Sequence, residues 1–285
     1  MELRILDQSK AEKLGFFFPN NNTLASRALY DFLVDYHKMV DLFYFTLHLA
    51  HSADEVALEA SKALILGAES EDEKQKHQAR IDNPERAVKK LHEFKYLNSK
   101  NLTINTVDSF LWFVSAAIQS AMKAKPEIVK SGESVRVEDI FDFKNKKELI
   151  DYLIDRKINS LSYGGMSKVE NFIKDSMGVD LFPVESDREA LKIFLEVRNI
   201  QVHNRGFVNR IFLGRVKKHP KFSFIEGKRT HLNFDELIYL TDVCVRTAID
   251  LDTKICEKFS IRRKRYSTWF KGSVSKKPSG KKSPR

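Results

Sequence analysis

The chain has 285 residues, 42% of them hydrophobic and 31% charged, enough apolar material for a buried core and too much for a wholly disordered polymer. Seven prolines and eleven glycines are few for this length, which favours helix over a many-turned β architecture. The net charge of +10 resides in the last 25 residues: ten Lys or Arg and no acid lie between Ile261 and Arg285, which leaves 39 of the 49 basic residues against 39 acidic ones before them.

The opening MELRILDQSKAEK carries charges before any apolar run, so it lacks the hydrophobic core of a signal peptide and a cytoplasmic location is expected. Phe16, Phe17 and Phe18 read as an anchor for the N-terminus. Leu24 to His51 reads as a long helix, with Thr23 as its N-cap and an apolar spacing from Leu29 through Phe32, Tyr36, Val40, Phe43 and Leu47. Ala53 to Leu66 repeats the pattern more weakly and stops at Gly67. Glu69 to Asp82 reads as a charged connection or exposed helix, and Asn83-Pro84 restarts a helix towards Tyr96. These segments define an N-terminal helical region, residues 1–102. His48, His51 and Glu55 share a helix face but are too few for a structural zinc site, so no metal is expected.

A second helical unit, residues 103–260, is expected to start at Thr103, where Asn105 or Thr106 can cap a helix reaching Lys125 before Pro126. Phe110, Trp112, Phe113, Val114, Ala117, Ile118 and Ala121 make this a central, buried helix. Its run from Val107 to Met122 is interrupted by Asp108, Ser109, Ser115, Gln119 and Ser120, and falls short of the roughly 20 apolar residues of a membrane span. Lys147 to Leu161 and Ser167 to Met177 follow, the latter opened by a Ser167/Glu170 capping box and closed by Gly178. Gly164-Gly165 reads as a loop, since it lacks the spaced glycines and Lys-Ser/Thr of a phosphate-binding loop. A Ser186/Glu189 capping box opens a helix that should end near Asn204 to Gly206. Phe222 to Phe234 reads as a small β-hairpin, and Phe234 to Ser260 as the last long helix. On that helix Cys244 and Cys256 are about 18 Å apart, too far for a disulfide. The expected class is all-α.

Residues 261–285 read as a flexible basic tail. Arg262, Arg263, Lys264 and Arg265 suit phosphates, and Tyr266, Trp269 and Phe270 suit base stacking, which together would give salt-sensitive, sequence-blind RNA binding. A merely solubilising tail is the other reading of the same residues.

The segment EVRNIQVHNRGFVNRIF, from Glu196 to Phe212, carries the chemistry. Arg198 is followed by the polar Asn199 and, after four intervening residues, by His203. This resembles the signature of the HEPN ribonuclease superfamily, an Arg with a polar neighbour and a His four to six residues on. Asn204, Gly206, Val208 and Asn209 resemble the family's continuation, and the likeness spans Thr103 to about Ser260. The resemblance implies a HEPN-type helical bundle and a homodimer with a composite site. It implies RNA as substrate, no cofactor or metal, and a setting in bacterial defence or toxin systems, where an activating or inhibitory protein partner acts. Arg198, Asn199 and His203 become the catalytic candidates, with Glu196, Asn204 and Gly206 in support.

The chemistry is self-contained in RNA. The 2′-hydroxyl attacks its neighbouring phosphate, giving a 2′,3′-cyclic phosphate and a free 5′-hydroxyl, so the protein must move protons and stabilise charge. A histidine is suited to the first task and a guanidinium to the second. DNA lacks the nucleophile. On an ideal helix Asn199 and His203 share a face, whereas Arg198 and His203 diverge by about 140°. Leu191, Leu195 and Val202 form a second apolar stripe beside the core stripe of Ile193, Phe194, Val197 and Ile200, which is read as a surface for a second protomer. Two plainer readings stand beside this one. Arg198 can bridge to Glu196 or Glu189 while His203 caps the helix end, or the domain can be a non-catalytic adaptor that binds RNA or a protein. A DNA-binding regulator has no helix-turn-helix pattern in its favour.

Overall fold

The computed structural model describes residues 16–17, 19–130, 143–216 and 219–272. Among these the fold is all-α, with β structure confined to one two-stranded pair and two isolated bridges.

The apolar spacing from Leu29 and its weaker continuation form one unbroken helix, α1 (Arg27–Leu66). Ser26 caps it in place of Thr23: the Ser26 hydroxyl accepts the Leu29 N–H at 3.2 Å. The Thr23 carbonyl is used elsewhere, accepting the Tyr266 N–H at 2.8 Å beside the antiparallel pair β1 (Leu24–Ala25) and β2 (Lys264–Arg265). Two short helices, α2 (Glu71–Ile81) and α3 (Arg86–Glu93), fold back on the second half of α1. Buried Asp54 of α1 accepts the N–H groups of Ala87 and Val88, both at 2.9 Å, and the Arg80 guanidinium at 3.3 Å. It thereby caps α3 from a neighbouring helix, where Glu85 supplies no side-chain bond. Burial pushes the Asp54 carboxyl up, but these donors outweigh it and hold the group below its ordinary value.

The expected start at Thr103 falls inside a longer helix, α4 (Lys95–Ala124). Thr103 and Thr106 are fully buried, and the Asn105 amide donates back to the Asn101 carbonyl, so none of them caps. Ser99, in the part of α4 before Thr103, is also buried and donates to the Leu232 carbonyl at 2.6 Å. Pro126 ends α4 and opens a short 3-10 turn, Pro126–Lys130. Next come α5 (Lys146–Tyr163), α6 (Met166–Met177) and α7 (Glu185–His203). Neither serine capping box expected at α6 and α7 forms, because each helix begins one residue before its serine. Gly165 at φ 75° enters α6 and extended Val184 enters α7. The short α8 (Arg210–Arg215) is capped by Asn209, and α9 (Phe234–Lys258) by an Asn233/Glu236 capping box. Phe222 to Phe234 makes a turn and isolated bridges (Phe207 with Arg229, His219 with Phe222); the two-stranded pair lies at β1 and β2 instead.

One contiguous core runs from Phe16 to Tyr266, with α4 packed against α1, α5, α7 and α9. Phe32 of α1 lies 6.2 Å from Phe110 and 5.8 Å from Phe113 of α4, ring centre to ring centre. Trp112, expected in the buried face of α4, instead faces solvent, as do Tyr96 and Leu97 in its first turn. No helix among the described residues is long and apolar enough to cross a membrane.

Residues 261–272 are folded, unlike the flexible tail expected there. α10 (Tyr266–Gly272) lays Tyr266 against Tyr30 at 5.2 Å, and the Trp269 indole N–H donates to the Ala25 carbonyl at 3.1 Å. The non-local β1–β2 pair holds the segment, which tail composition does not reveal. The expectation for residues 273–285 lies outside the described residues, as does that for Phe18. Trp269→Ala should lower stability by about 2 kcal/mol through lost aromatic packing. A thermal melt checks this, and an unchanged Tm would return the segment to a solvated tail.

Burial lowers the pKa of His37, His219 and His231 from the ordinary 6.5. The unfolded chain therefore binds more protons than the folded one just below that value, so stability should fall as pH drops through about 6.5. Chemical denaturation at pH 7.5 and 5.5 should show a lower midpoint at the acid value, and His37→Gln should flatten the difference.

Candidate active site

α7 places the proposed catalytic residues. Its core stripe of Ile193, Phe194, Val197 and Ile200 is buried, as the periodicity predicts. Leu191 and Leu195 of the second stripe are buried within the same chain, which leaves only Val202 exposed. The two-sided character of α7 thus arises from packing inside the protomer. The helix stops where expected: Asn204 donates its N–H to the Ile200 carbonyl, and Gly206, at φ 81°, donates to the same oxygen.

Gly206 fits this place because its φ of 81° lies in the left-handed region that side chains with a Cβ rarely adopt; the space itself would admit a Cβ, at ordinary contact 3.4 Å from the Thr230 carbonyl and the Arg229 side chain. The Asn204 side-chain amide donates to the Phe207 carbonyl at 2.7 Å, and Asn209 caps α8 through the Phe212 N–H at 2.8 Å. Asn204, Gly206 and Asn209 therefore shape the turn after α7, and Val208 is buried beneath it.

Arg198 is held from α4. Its Nη2 lies 2.6 Å from Asp108 Oδ1, and its Nη1 donates to Asn199 Oδ1 at 3.2 Å. Its Nε is buried without a hydrogen-bond partner among the described residues. The acid on Arg198 is thus Asp108, whereas Glu196 pairs with Arg215 at 3.4 Å. Arg198 and Asn199 line a cleft of about 730 Å³ between α4, α6 and α7. Arg188, Lys192 and Arg215 add positive charge to its wall, against Glu170 and Glu196. Arg188 is bound by Glu170 at 3.0 Å, while Lys192 makes no ion pair among the described residues. Sequence reasoning missed Arg188 and Lys192; the signal was their i, i+4 spacing on the helix that carries Asn199.

His203 is exposed at the last position of α7 and does not line this cleft. It stands five residues beyond Arg198, a rise of roughly 7.5 Å with a 140° turn. Val202 and Phe207, on either side of this helix end in the chain, and Ile211 of α8 are exposed.

The tail candidates divide. Arg262 and Arg265 are exposed, whereas Arg263 donates to Thr253 and Glu257, both at 3.0 Å, and Lys264 Nζ sits 4.4 Å above the Trp269 ring. Trp269 is itself committed to Tyr30 and Ala25. Elsewhere, His51 pairs with Glu55 at 3.3 Å, and no group of three metal-ligating side chains gathers among the described residues. Cys244 and Cys256 are buried free thiols, and burial pushes Cys256 up to about 12.

Fold and cleft together define an all-helical protein with a mainly basic cleft. Comparison with family models, curated proteins and solved structures finds no match for this chain.

Proposed function

We propose that the chain is a metal-independent endoribonuclease of HEPN type that cleaves RNA by 2′-hydroxyl transesterification. The carrying observation is that one helix directs Arg198 and Asn199 into a cleft with Arg188, Lys192 and Arg215, and presents His203 unobstructed at its end. The cations bind the phosphodiester backbone, and Arg198 offsets the charge that builds on the phosphate in the transition state. His203 takes the 2′-hydroxyl proton or supplies one to the departing 5′-oxygen. Because His203 stands outside its own cleft, two protomers join their α7 ends, with Val202, Phe207 and Ile211 as the apolar contact, and complete a composite site. Bacterial defence, with a protein partner that switches the enzyme on or off, is the setting the resemblance supplies.

The Arg198–Asp108 contact at 2.6 Å favours a second reading, a non-catalytic adaptor in which Arg198 ties α7 to α4. Cleavage of labelled single-stranded RNA in EDTA, with end analysis and a matched DNA strand, separates the two. Cyclic-phosphate ends that depend on both Arg198 and His203 support the enzyme; RNA binding without cleavage at any protein concentration supports the adaptor.

A further inference from the structure

α1 carries an apolar face that its own fold leaves uncovered. Leu42, Phe45, Leu49 and Val56 are 62%, 60%, 57% and 70% exposed, and Ala53, Ala60 and Ala63 on the same line are exposed too. From Leu42 to Ala63 these positions take six steps over 21 residues, a mean spacing of 3.5, the seam period of paired helices. At 100° per residue, Leu49 points 180° away from buried Val40, and Ala63 lies 180° from buried Asp54. The seam therefore faces away from the core in the first half of α1 and away from α3 in the second. Scattered exposed apolar residues need no explanation, but a continuous stripe about 31 Å long does.

We infer that this face docks a second copy of the chain, α1 against α1 in antiparallel orientation. The sequence of the seam is complementary to itself when reversed. Centred between Ser52 and Ala53, the antiparallel register sets Leu42 opposite Ala63, Phe45 opposite Ala60, and Leu49 opposite Val56. In the outer pairs a large side chain meets an alanine, and at the centre Leu49 meets Val56, which lets two helices interdigitate. A parallel register would put Phe45 on Phe45 and leave Ala60 facing Ala60. The flanks agree in charge. Asp41 precedes Leu42 and Lys62 precedes Ala63, so the antiparallel pair brings Asp41 beside Lys62 of the second copy at each end of the seam, and His48 beside Glu55 on either side of its centre. This interface involves neither α7 nor the cleft, so it stands whether or not the chain cuts RNA.

Cysteine cross-linking reads the register directly. Leu42→Cys/Ala63→Cys in one chain should give a covalent dimer on mild oxidation, and each single variant should not. The two positions cannot close within one chain, since 21 helical residues span about 31 Å, and native Cys244 and Cys256 are buried. Phe45→Glu should weaken self-association by about 30-fold or more and halve the particle mass in light scattering, with helicity unchanged because the side chain is exposed. Lys62→Asp should weaken it as well, and adding Asp41→Lys should restore it. Cross-linking of Leu42→Cys alone would mean a parallel pair and overturn the register. Absence of any cross-link, with a particle mass that Phe45→Glu leaves unaltered, would mean that the face is bare or covered by something other than a second α1, and would overturn the proposal.

Discussion

Arg198→Ala is expected to reduce RNA cleavage by roughly 10²–10³-fold, the usual cost of removing a group that stabilises transition-state charge. His203→Ala is expected to cost roughly 10²–10⁴-fold through loss of proton transfer. Neither change should abolish RNA binding, because Arg188, Lys192 and Arg215 remain in the cleft. Arg198 has a structural partner, so a loss of activity in Arg198→Ala has two readings, and Asp108→Asn separates them. That variant removes the carboxylate charge from the 2.6 Å contact yet keeps the guanidinium in the cleft. If Arg198 works on the phosphate, Asp108→Asn retains most of the activity while Arg198→Ala loses it. Equal loss in both would make Arg198 a strut between α4 and α7. Arg198→Lys preserves the charge but not the planar fork, so it should recover binding more than cleavage. Mixing Arg198→Ala with His203→Ala adds a test of the composite site: two defective chains should regain activity together if each protomer supplies a different residue to one centre.

Elements governed by local chemistry were legible, and those governed by distant contacts were not. α9 and the end of α7 follow from periodicity, Asn204 and Gly206, all carried by residues a few positions apart. The helix start at Thr103 misled because buried threonines within a helix have the same side chains as capping ones, and only the packing of α4 distinguishes them. The serine boxes at α6 and α7 failed for a related reason. The Ser-x-x-Glu pattern is present, but Gly165 and Val184 set the chain's entry one residue earlier. The same kind of pattern, Asn233 with Glu236, does form a box at α9. At the candidate site, Arg198, Asn199 and His203 were readable as a motif on one helix. The Asp108 partner, 90 positions away, was not. Trp269 likewise read as a base-stacking residue because its contacts with Tyr30 and Ala25 depend on a strand pair that joins opposite ends of the described chain.

Phe113→Ala is expected to destabilise the protein by about 3–5 kcal/mol, the range for truncating a fully buried aromatic side chain. Phe113 is wholly enclosed, and its ring lies 5.8 Å from Phe32 of α1 and 6.3 Å from Phe110 of α4. Loss of the ring opens a cavity at the joint between the N-terminal helices and the rest of the core, and closing it would require α1 to move against α4, which also packs on α7 and α9. The effect should therefore spread through both halves. In calorimetry, wild type should unfold in one transition and Phe113→Ala in one transition at lower temperature. A variant that splits the melt in two would show that residues 1–102 and 103–260 fold as separable units joined only at this contact. A single transition would instead make α1 part of the scaffold that holds α4, and through Asp108 of α4 the guanidinium of Arg198. In that case Phe113→Ala, far in sequence from the motif, should also weaken RNA cleavage at temperatures well below its own melting point.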